Sequence, residues 1–205
     1  MKILEIKNLS LRSKKNKTLL LKNVNLTLNK GEVLGIAGES GSGKTLMGLT
    51  ITKLLDSAIF EILSGEIIYD GNDILKCNED YLRSIRTKKI SMVFQEPMLS
   101  LNPVQTIKTQ LYEVIKLHIT KNQNDIEHLS KNIITQIGLY DFDKIISSYP
   151  HMLSGGQRQR IMMAIALVCK PDILIADEPT TALDVTLQLQ ILDLLKDYKI
   201  QNNMS

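Results

Sequence analysis

The sequence of 205 residues predicts an α/β fold with antiparallel β hairpins at its N-terminal side and an inserted helical lobe, and three observations carry that prediction. One is a glycine-rich loop, Gly38-Glu39-Ser40-Gly41-Ser42-Gly43-Lys44-Thr45, set between an apolar run and a helix-forming run. Another is a series of short strand-like segments around that loop, punctuated by turn residues. The third is a change of hydrophobic period, from alternation to helical spacing, between about Leu101 and Leu167, after which a short apolar run returns at Ile173-Leu174-Ile175-Ala176.

Taken in order, Leu4, Ile6, Leu9 and Leu11 alternate as a strand interrupted at Asn8. Leu19 to Leu28 follows as a second strand across a basic turn carrying Arg12, Lys14, Lys15 and Lys17, a solvated hairpin tip. Asn29-Lys30-Gly31 turns the chain into Val33-Leu34-Gly35-Ile36-Ala37, which reads as a short buried strand feeding the glycine-rich loop, and Leu46 to Leu55 continues beyond the loop as a helix. Gly65-Glu66-Ile67-Ile68-Tyr69 and Asp73-Ile74-Leu75 flank the turn signal Asp70-Gly71-Asn72. Lys89 to Phe94 reads as another buried strand, ending at Gln95.

In the helical stretch, Ile107, Leu111, Val114 and Ile115 share one face, and Ile126, Leu129, Ile133, Ile134 and Ile137 share another. Polar Asn122 to Asp125 joins the two helices, and Gly138 is placed to stop the second. A final amphipathic helix, about Val185 to Tyr198, carries Leu189, Leu192 and Leu195 on one side. The organisation expected is a single domain over 1–205, with a core of about 1–95 and 168–205 and a helical lobe of about 96–167.

The bulk numbers exclude several classes. A hydrophobic content of 43% supports one good core. A formal charge of +3, with no concentrated basic surface, gives no case for nucleic acid. Cys77 and Cys169 lack metal-ligand spacing, and Cys169, inside an apolar run, reads as a packed thiol in a reducing setting. The charged N-terminus does not read as a signal peptide, and no stretch approaches the roughly 18 apolar residues of a membrane span, so a membrane role has to come through a partner.

The chemistry lies in the loop. It fits the pattern of a glycine, four residues, then Gly-Lys-Ser/Thr, in which backbone N–H groups turn inward around a phosphate at a helix N-terminus. Lys44 adds a positive charge for the β- and γ-phosphates, and the Thr45 hydroxyl is a Mg2+ ligand. At the end of the later apolar run, Asp177 is placed to hold the metal and Glu178 to polarise an attacking water as general base. Gln95, ending its own strand, is a third candidate for the metal or the water. Leu153-Ser154-Gly155-Gly156-Gln157 opens another helix in a phosphate-friendly way. Either it is an ordinary serine-capped helix start, or it serves a nucleotide held by another subunit.

Together these motifs resemble the ATP-binding-cassette ATPases over essentially the whole chain. Gly38 to Thr45 matches the first Walker motif, Gln95 the Q-loop, Leu153 to Gln157 the signature, Ile173 to Glu178 the second Walker motif, and Thr181 to Asp184 the D-loop. The resemblance implies a P-loop NTPase cassette core. It also implies ATP and Mg2+ as cofactors, and a partner cassette whose signature closes over the ATP on this loop in a head-to-tail dimer. The wording of Phe94 to Pro103, of Tyr149-Pro150-His151 and of Ala176 to Val185 is similar to the peptide/nickel importer branch. For that branch the implied function is ATP hydrolysis driving import of peptides or nickel. The implied partners are membrane permease subunits contacted by the helical lobe and, indirectly, a substrate-binding protein; the implied location is the cytoplasmic face of the bacterial inner membrane. His151 is expected to be structural.

Two departures stand out. The family carries an aromatic residue in the early strand region, stacked on adenine; that place falls near Arg12 or Ser13, with no aromatic between Met1 and Ile59, which leaves Arg12 or apolar contacts to hold the base. The family also continues into another strand ending in a histidine that contacts the γ-phosphate, whereas His118, His128 and His151 all lie upstream. The chain therefore resembles a truncated member, expected to bind Mg-ATP but to turn it over poorly. Two rival readings are a soluble cassette ATPase acting as a mechanical switch and a hydrolysis-deficient nucleotide-binding module.

Overall fold

A computed structural model describes residues 1–94, 100–180 and 184–205; the expectations resting on Gln95 and on Thr181-Ala182-Leu183 lie outside the described residues. The chain divides into two compact units, residues 1–86 joined by Ser205, and residues 87–204.

The first unit is built on the alternation of its early strands. β1 (Lys2–Ser13), β2 (Leu19–Asn29), β3 (Phe60–Tyr69) and the short β4 (Asn72–Asp73) form an antiparallel sheet in the order β2-β1-β3-β4. Leu4, Ile6, Leu9, Leu11 and Ile67 are buried and make its core face. The interruption expected at Asn8 is real: its φ of 47° bends the strand, and the register shifts on both sides of it. Opposite that bend, Gly65 lets the two backbones close up, since a Cβ there would lie 2.5 Å from Leu9 Cα.

Helix α1 (Lys44–Ile51) buries Met47, Gly48, Thr50 and Ile51. Its C-terminal end is held by Arg86, which donates to the carbonyls of Thr52 at 2.9 Å and Lys53 at 3.0 Å and pairs with Glu79 at 2.5 Å. Arg86 follows α2 (Glu79–Ile85), which Asn78 caps through the Tyr81 N–H.

Two expectations in this unit are corrected. Val33 to Ala37 is not a buried strand. An apolar run becomes a strand only when a neighbour takes up its N–H and C=O groups. Neither sheet among the described residues includes this run, and Val33, Leu34 and Ile36 stand 75%, 41% and 47% exposed. The strand expected at Asp73-Ile74-Leu75 is also cut short. The Asp70-Gly71 turn forms as expected, with φ of 47° and 78°. The Asp73 carboxylate then accepts from the Leu75 N–H at 3.2 Å and turns Ile74–Lys76 into one turn of 3-10 helix, with Ile74 fully buried. A local side-chain cap outcompeted the ladder.

The second unit holds a parallel pair, β5 (Ile90–Val93) and β6 (Ile173–Ala176), with Ile90 opposite Ile173 and Val93 opposite Ala176. Between them in sequence run α3 (Ile107–His118), α4 (Gln123–Gln136), α5 (Phe142–Ser147) and α6 (Gly155–Leu167). Their helical periodicity is the one expected: Ile107, Leu111 and Ile115 from α3, and Ile126, Ile133, Ile134 and Ile137 from and just after α4, share one buried cluster with Ile161, Met163 and Leu167 of α6. Asn122 caps α4, and Gly138, with φ of 76°, ends it. That glycine also leaves room for Arg160, whose guanidinium donates to the Ile137 carbonyl at 2.7 Å.

The last helix, α7 (Val185–Asn202), carries its apolar face elsewhere than expected. Leu189 and Leu192 are 59% and 50% exposed, while Ile191 and Tyr198 are buried and Leu195 is half-buried. The helix is apolar on two sides, so spacing alone does not choose between them. Packing does: the Tyr198 hydroxyl donates to the Leu167 carbonyl at 2.5 Å, fixing which side faces α6.

Candidate nucleotide site

The loop Gly38 to Thr45 leads directly into α1. Gly41 and Gly43 have φ of 80° and 96°, the left-handed region that glycine enters freely, and this reverses successive peptide planes into a concave turn. Gly43 is the N-cap of α1 and offers no side-chain cap, and the first turn holds no acidic residue. The N–H groups that open a helix are normally satisfied by such a cap, so this end is left with positive potential for an anion. At Gly38 a Cβ would sit 2.7 Å from Ser42 Oγ, so a larger residue there would have to turn that hydroxyl aside.

Lys44 folds over the same loop, its ammonium donating to the carbonyls of Gly38 at 2.8 Å and Glu39 at 3.0 Å. A phosphate at the loop exchanges for those neutral acceptors a charge-assisted partner, which is the stronger bond. Thr45 is exposed in the first turn, with its hydroxyl oxygen accessible to a hard cation. A nest of backbone donors with one ammonium fits a polyphosphate, and a hydroxyl oxygen is the type of donor that Mg2+ takes.

The loop is anchored on the sheet. A Cβ at Gly43 would lie 2.8 Å from Leu21 Cδ2 and 3.4 Å from the Leu20 carbonyl, so the end of the loop rests on β2. At the neighbouring tip, Arg12 is engaged with Glu61 at 2.8 Å. The hydrogen bond from that guanidinium holds the Glu61 carboxyl below its ordinary pKa.

In the second unit the carboxylates follow β6. The Asp177 N–H donates to the Val93 carbonyl at 3.0 Å, extending the parallel pairing one step beyond the strand. Glu178 then takes φ of 48°, a left-handed conformation that costs a non-glycine residue about 1 kcal/mol or more. The segment after it is tied down from two helices: Gln159 of α6, 2% exposed, donates to the Pro179 carbonyl, and Gln188 of α7 donates to the Thr180 carbonyl at 2.9 Å. Sequence reasoning passed over Gln159, because its acceptor lies 20 residues away along the chain. An uncharged, polar side chain on an otherwise apolar helix face was the available signal.

The stretch Leu153 to Gln157 shows a reciprocal capping box. Ser154 Oγ accepts from the Gln157 N–H at 3.2 Å, and Gln157 Oε1 accepts from the Ser154 N–H at 2.9 Å. Leu153 is buried beneath it. Gly156 serves packing, since a Cβ there would come within 2.4 Å of Leu187 Cδ2 on α7, whereas Gly155 opens to free space. Asp184 caps α7 through the Leu187 N–H at 3.0 Å. His151 stacks on Tyr149 with ring centroids 5.7 Å apart. Among the described residues no helix is long and apolar enough to cross a membrane.

The loop and the fold are those of a P-loop nucleotide-binding cassette. Residues 21–181 match the ABC transporter family, and the chain belongs to that family. It is 45% identical, over 98% of its own length and 39% of the relative's, to the uncharacterized ABC transporter ATP-binding protein YejF of Escherichia coli. It is 43% identical, over 95% of its length and 60% of the relative's, to the oligopeptide transport ATP-binding protein AppD of Bacillus subtilis. Thus the chain spans 39% and 60% of the lengths of these two relatives. Among solved structures it is similar to the ATP-binding cassette MJ0796 in a dimeric, post-hydrolysis state bound to ADP and Pi, with a TM-score of 0.84 and 30% identity, covering 98% of this chain and 84% of that one.

Proposed function

We propose that this chain is the ATP-binding, energy-coupling subunit of a bacterial peptide importer. The observation that supports it most is the loop itself: an uncapped helix N-terminus behind two left-handed glycines, with Lys44 already folded across it. The relative named for oligopeptide transport supports the cargo class.

In this reading Gly38 to Gly43 and Lys44 hold the β- and γ-phosphates, and the hydroxyl of Thr45 with the carboxylate of Asp177 and the amide of Gln95 hold Mg2+. The metal, when bound, neutralises charge on the phosphate oxygens. Glu178 orients a water and accepts its proton. Leu153 to Gln157 face the nucleotide of a partner cassette, with the Gly155 and Gly156 N–H groups, which the capping box leaves out, reaching it, and Asp184 sits at the seam. The helical lobe, about 96–167, receives the membrane permease, which places the chain on the cytoplasmic face of the inner membrane. A separate binding protein delivers the solute.

Two measurements test this. Glu178→Gln should keep Mg-ATP binding and lower ATP turnover by at least about a hundredfold, the size of a lost general base; unchanged turnover would remove Glu178 from the chemistry. Uptake of labelled peptide and of nickel, in cells lacking the gene, should fall for peptide alone. Normal peptide uptake would refute the cargo assignment.

A further inference from the structure

Resting on the reading of Gly38 to Thr45 as a phosphate site, we propose that the base of the bound nucleotide stacks on Phe60, an aromatic supplied by β3. The argument is one of register and face. The loop's last glycine rests on Leu21 of β2. Leu21 pairs with Leu11 of β1, and Leu11 with Ile62 of β3, so all three side chains share one face of the sheet. One step toward the hairpin tip, Arg12 pairs with Glu61, and one step further Ser13 pairs with Phe60, with no register shift between these β1–β3 pairs.

Strand alternation therefore turns Arg12 and Glu61 to the opposite face and returns Ser13 and Phe60 to the face on which the loop rests. Arg12, which with apolar contacts was one of two alternatives the sequence left for holding the base, is committed on the opposite side to Glu61 at 2.8 Å. Two strand spacings across and two residues along put Phe60 about 12 Å from Leu21, a span that a nucleoside triphosphate covers from phosphates to base.

The choice of Phe60 within this unit is also by elimination. Its aromatic residues are Phe60, Tyr69 and Tyr81. Tyr69 is buried and pairs with Leu4 at the far end of the sheet, and Tyr81 lies on α2, where burial raises its pKa. Phe60 is half-buried rather than enclosed, and its cross-strand neighbour is a small serine. A nucleobase needs a flat, polarisable surface, and a phenyl ring gives one without regard to the base's hydrogen-bonding pattern.

The chain contains no tryptophan, so Phe60→Trp places a single reporter at the proposed contact. Titration of the full chain with Mg-ATP should quench that emission, whereas inorganic tripolyphosphate should leave it unchanged while still binding. Phe60→Ala should weaken Mg-ATP about tenfold, the scale of one lost base–aromatic stack, and leave tripolyphosphate affinity unaltered. An unaltered Mg-ATP affinity, an equal loss for both ligands, or a silent tryptophan with Mg-ATP bound would overturn the assignment while leaving the phosphate site standing. If the unmodified chain binds neither ligand, the phosphate-site reading falls and takes this one with it.

Discussion

Gly35, Gly41 and Gly43 form a graded series in which alanine should meet three different penalties. Gly35 has ordinary φ and nothing within 4 Å of an added Cβ. Alanine there should be neutral or stabilise by about 0.5–1 kcal/mol, through the smaller entropy of the unfolded chain. Gly41 also has open space but φ of 80°. A left-handed alanine costs about 1–2 kcal/mol, so after the same unfolded-state gain a net loss of about 0.5–1 kcal/mol remains. Gly43 adds a collision to a φ of 96°: the new methyl would lie 2.8 Å from Leu21 Cδ2, and Leu21 is only 6% exposed and has little space to withdraw into. Overpacking of this kind costs about 1–3 kcal/mol, which with the left-handed term gives a total of about 1.5–4 kcal/mol. Urea unfolding of the three variants, at constant m, reads these differences as shifts in midpoint. Gly43→Ala should also bind Mg-ATP at least about tenfold more weakly, because 1.4 kcal/mol of loop distortion is tenfold in affinity. A Gly43→Ala variant no less stable than Gly41→Ala would refute the argument that the loop is braced on β2.

Burial pushes the Cys169 thiol up to about 11. At pH 8 its thiolate fraction is then about one in a thousand, so a chromogenic thiol reagent should titrate Cys77 in the native protein and both cysteines in urea; rapid native labelling of Cys169 would contradict its packing. Burial alone would raise the Asp73 pKa, but hydrogen bonds from Lys76 and from the Ile67 and Leu75 N–H groups outweigh it and leave the carboxyl below its ordinary value. The stabilisation this carboxylate gives is present above its unfolded pKa and is lost as pH falls through the lower folded one. Asp73→Asn should therefore be less stable than the parent at pH 7 and equal to it near the bottom of the acid limb; a constant difference across that range would dismiss the charge as the cause.

What could be read from the sequence was what a few neighbouring residues decide among themselves. The loop at Gly38 to Thr45 is one case, the helix stop at Gly138 another, and the serine-capped helix start at Ser154, one of two readings offered for it, a third. Each is a backbone conformation or a hydrogen bond spanning at most a few residues. Val33 to Ala37 failed because apolar character reports a preference for burial but names no partner strand. Leu189 and Leu192 were misplaced because α7 is apolar on two sides, and only the packing of Tyr198 selects between them. Gln159 and Phe60 were missed for the same reason in another form: Gln159 acts on Pro179, and Phe60 faces Ser13, through contacts fixed by helix packing and strand register.

Arg86 has a consequence at the opposite end of α1 from the loop. Its guanidinium sits on the carbonyls of Thr52 and Lys53, where the helix presents its negative pole. Lys53, in turn, reaches the carbonyls of Leu75 and Cys77 at 3.1 and 3.2 Å. The helix is thereby clamped at one end while folding, and the restriction of its position is complete before any anion arrives. An incoming polyphosphate then meets an electrode that is already fixed in place. The attraction it gains is not consumed in immobilising the helix, and any displacement it causes has to begin at the glycines.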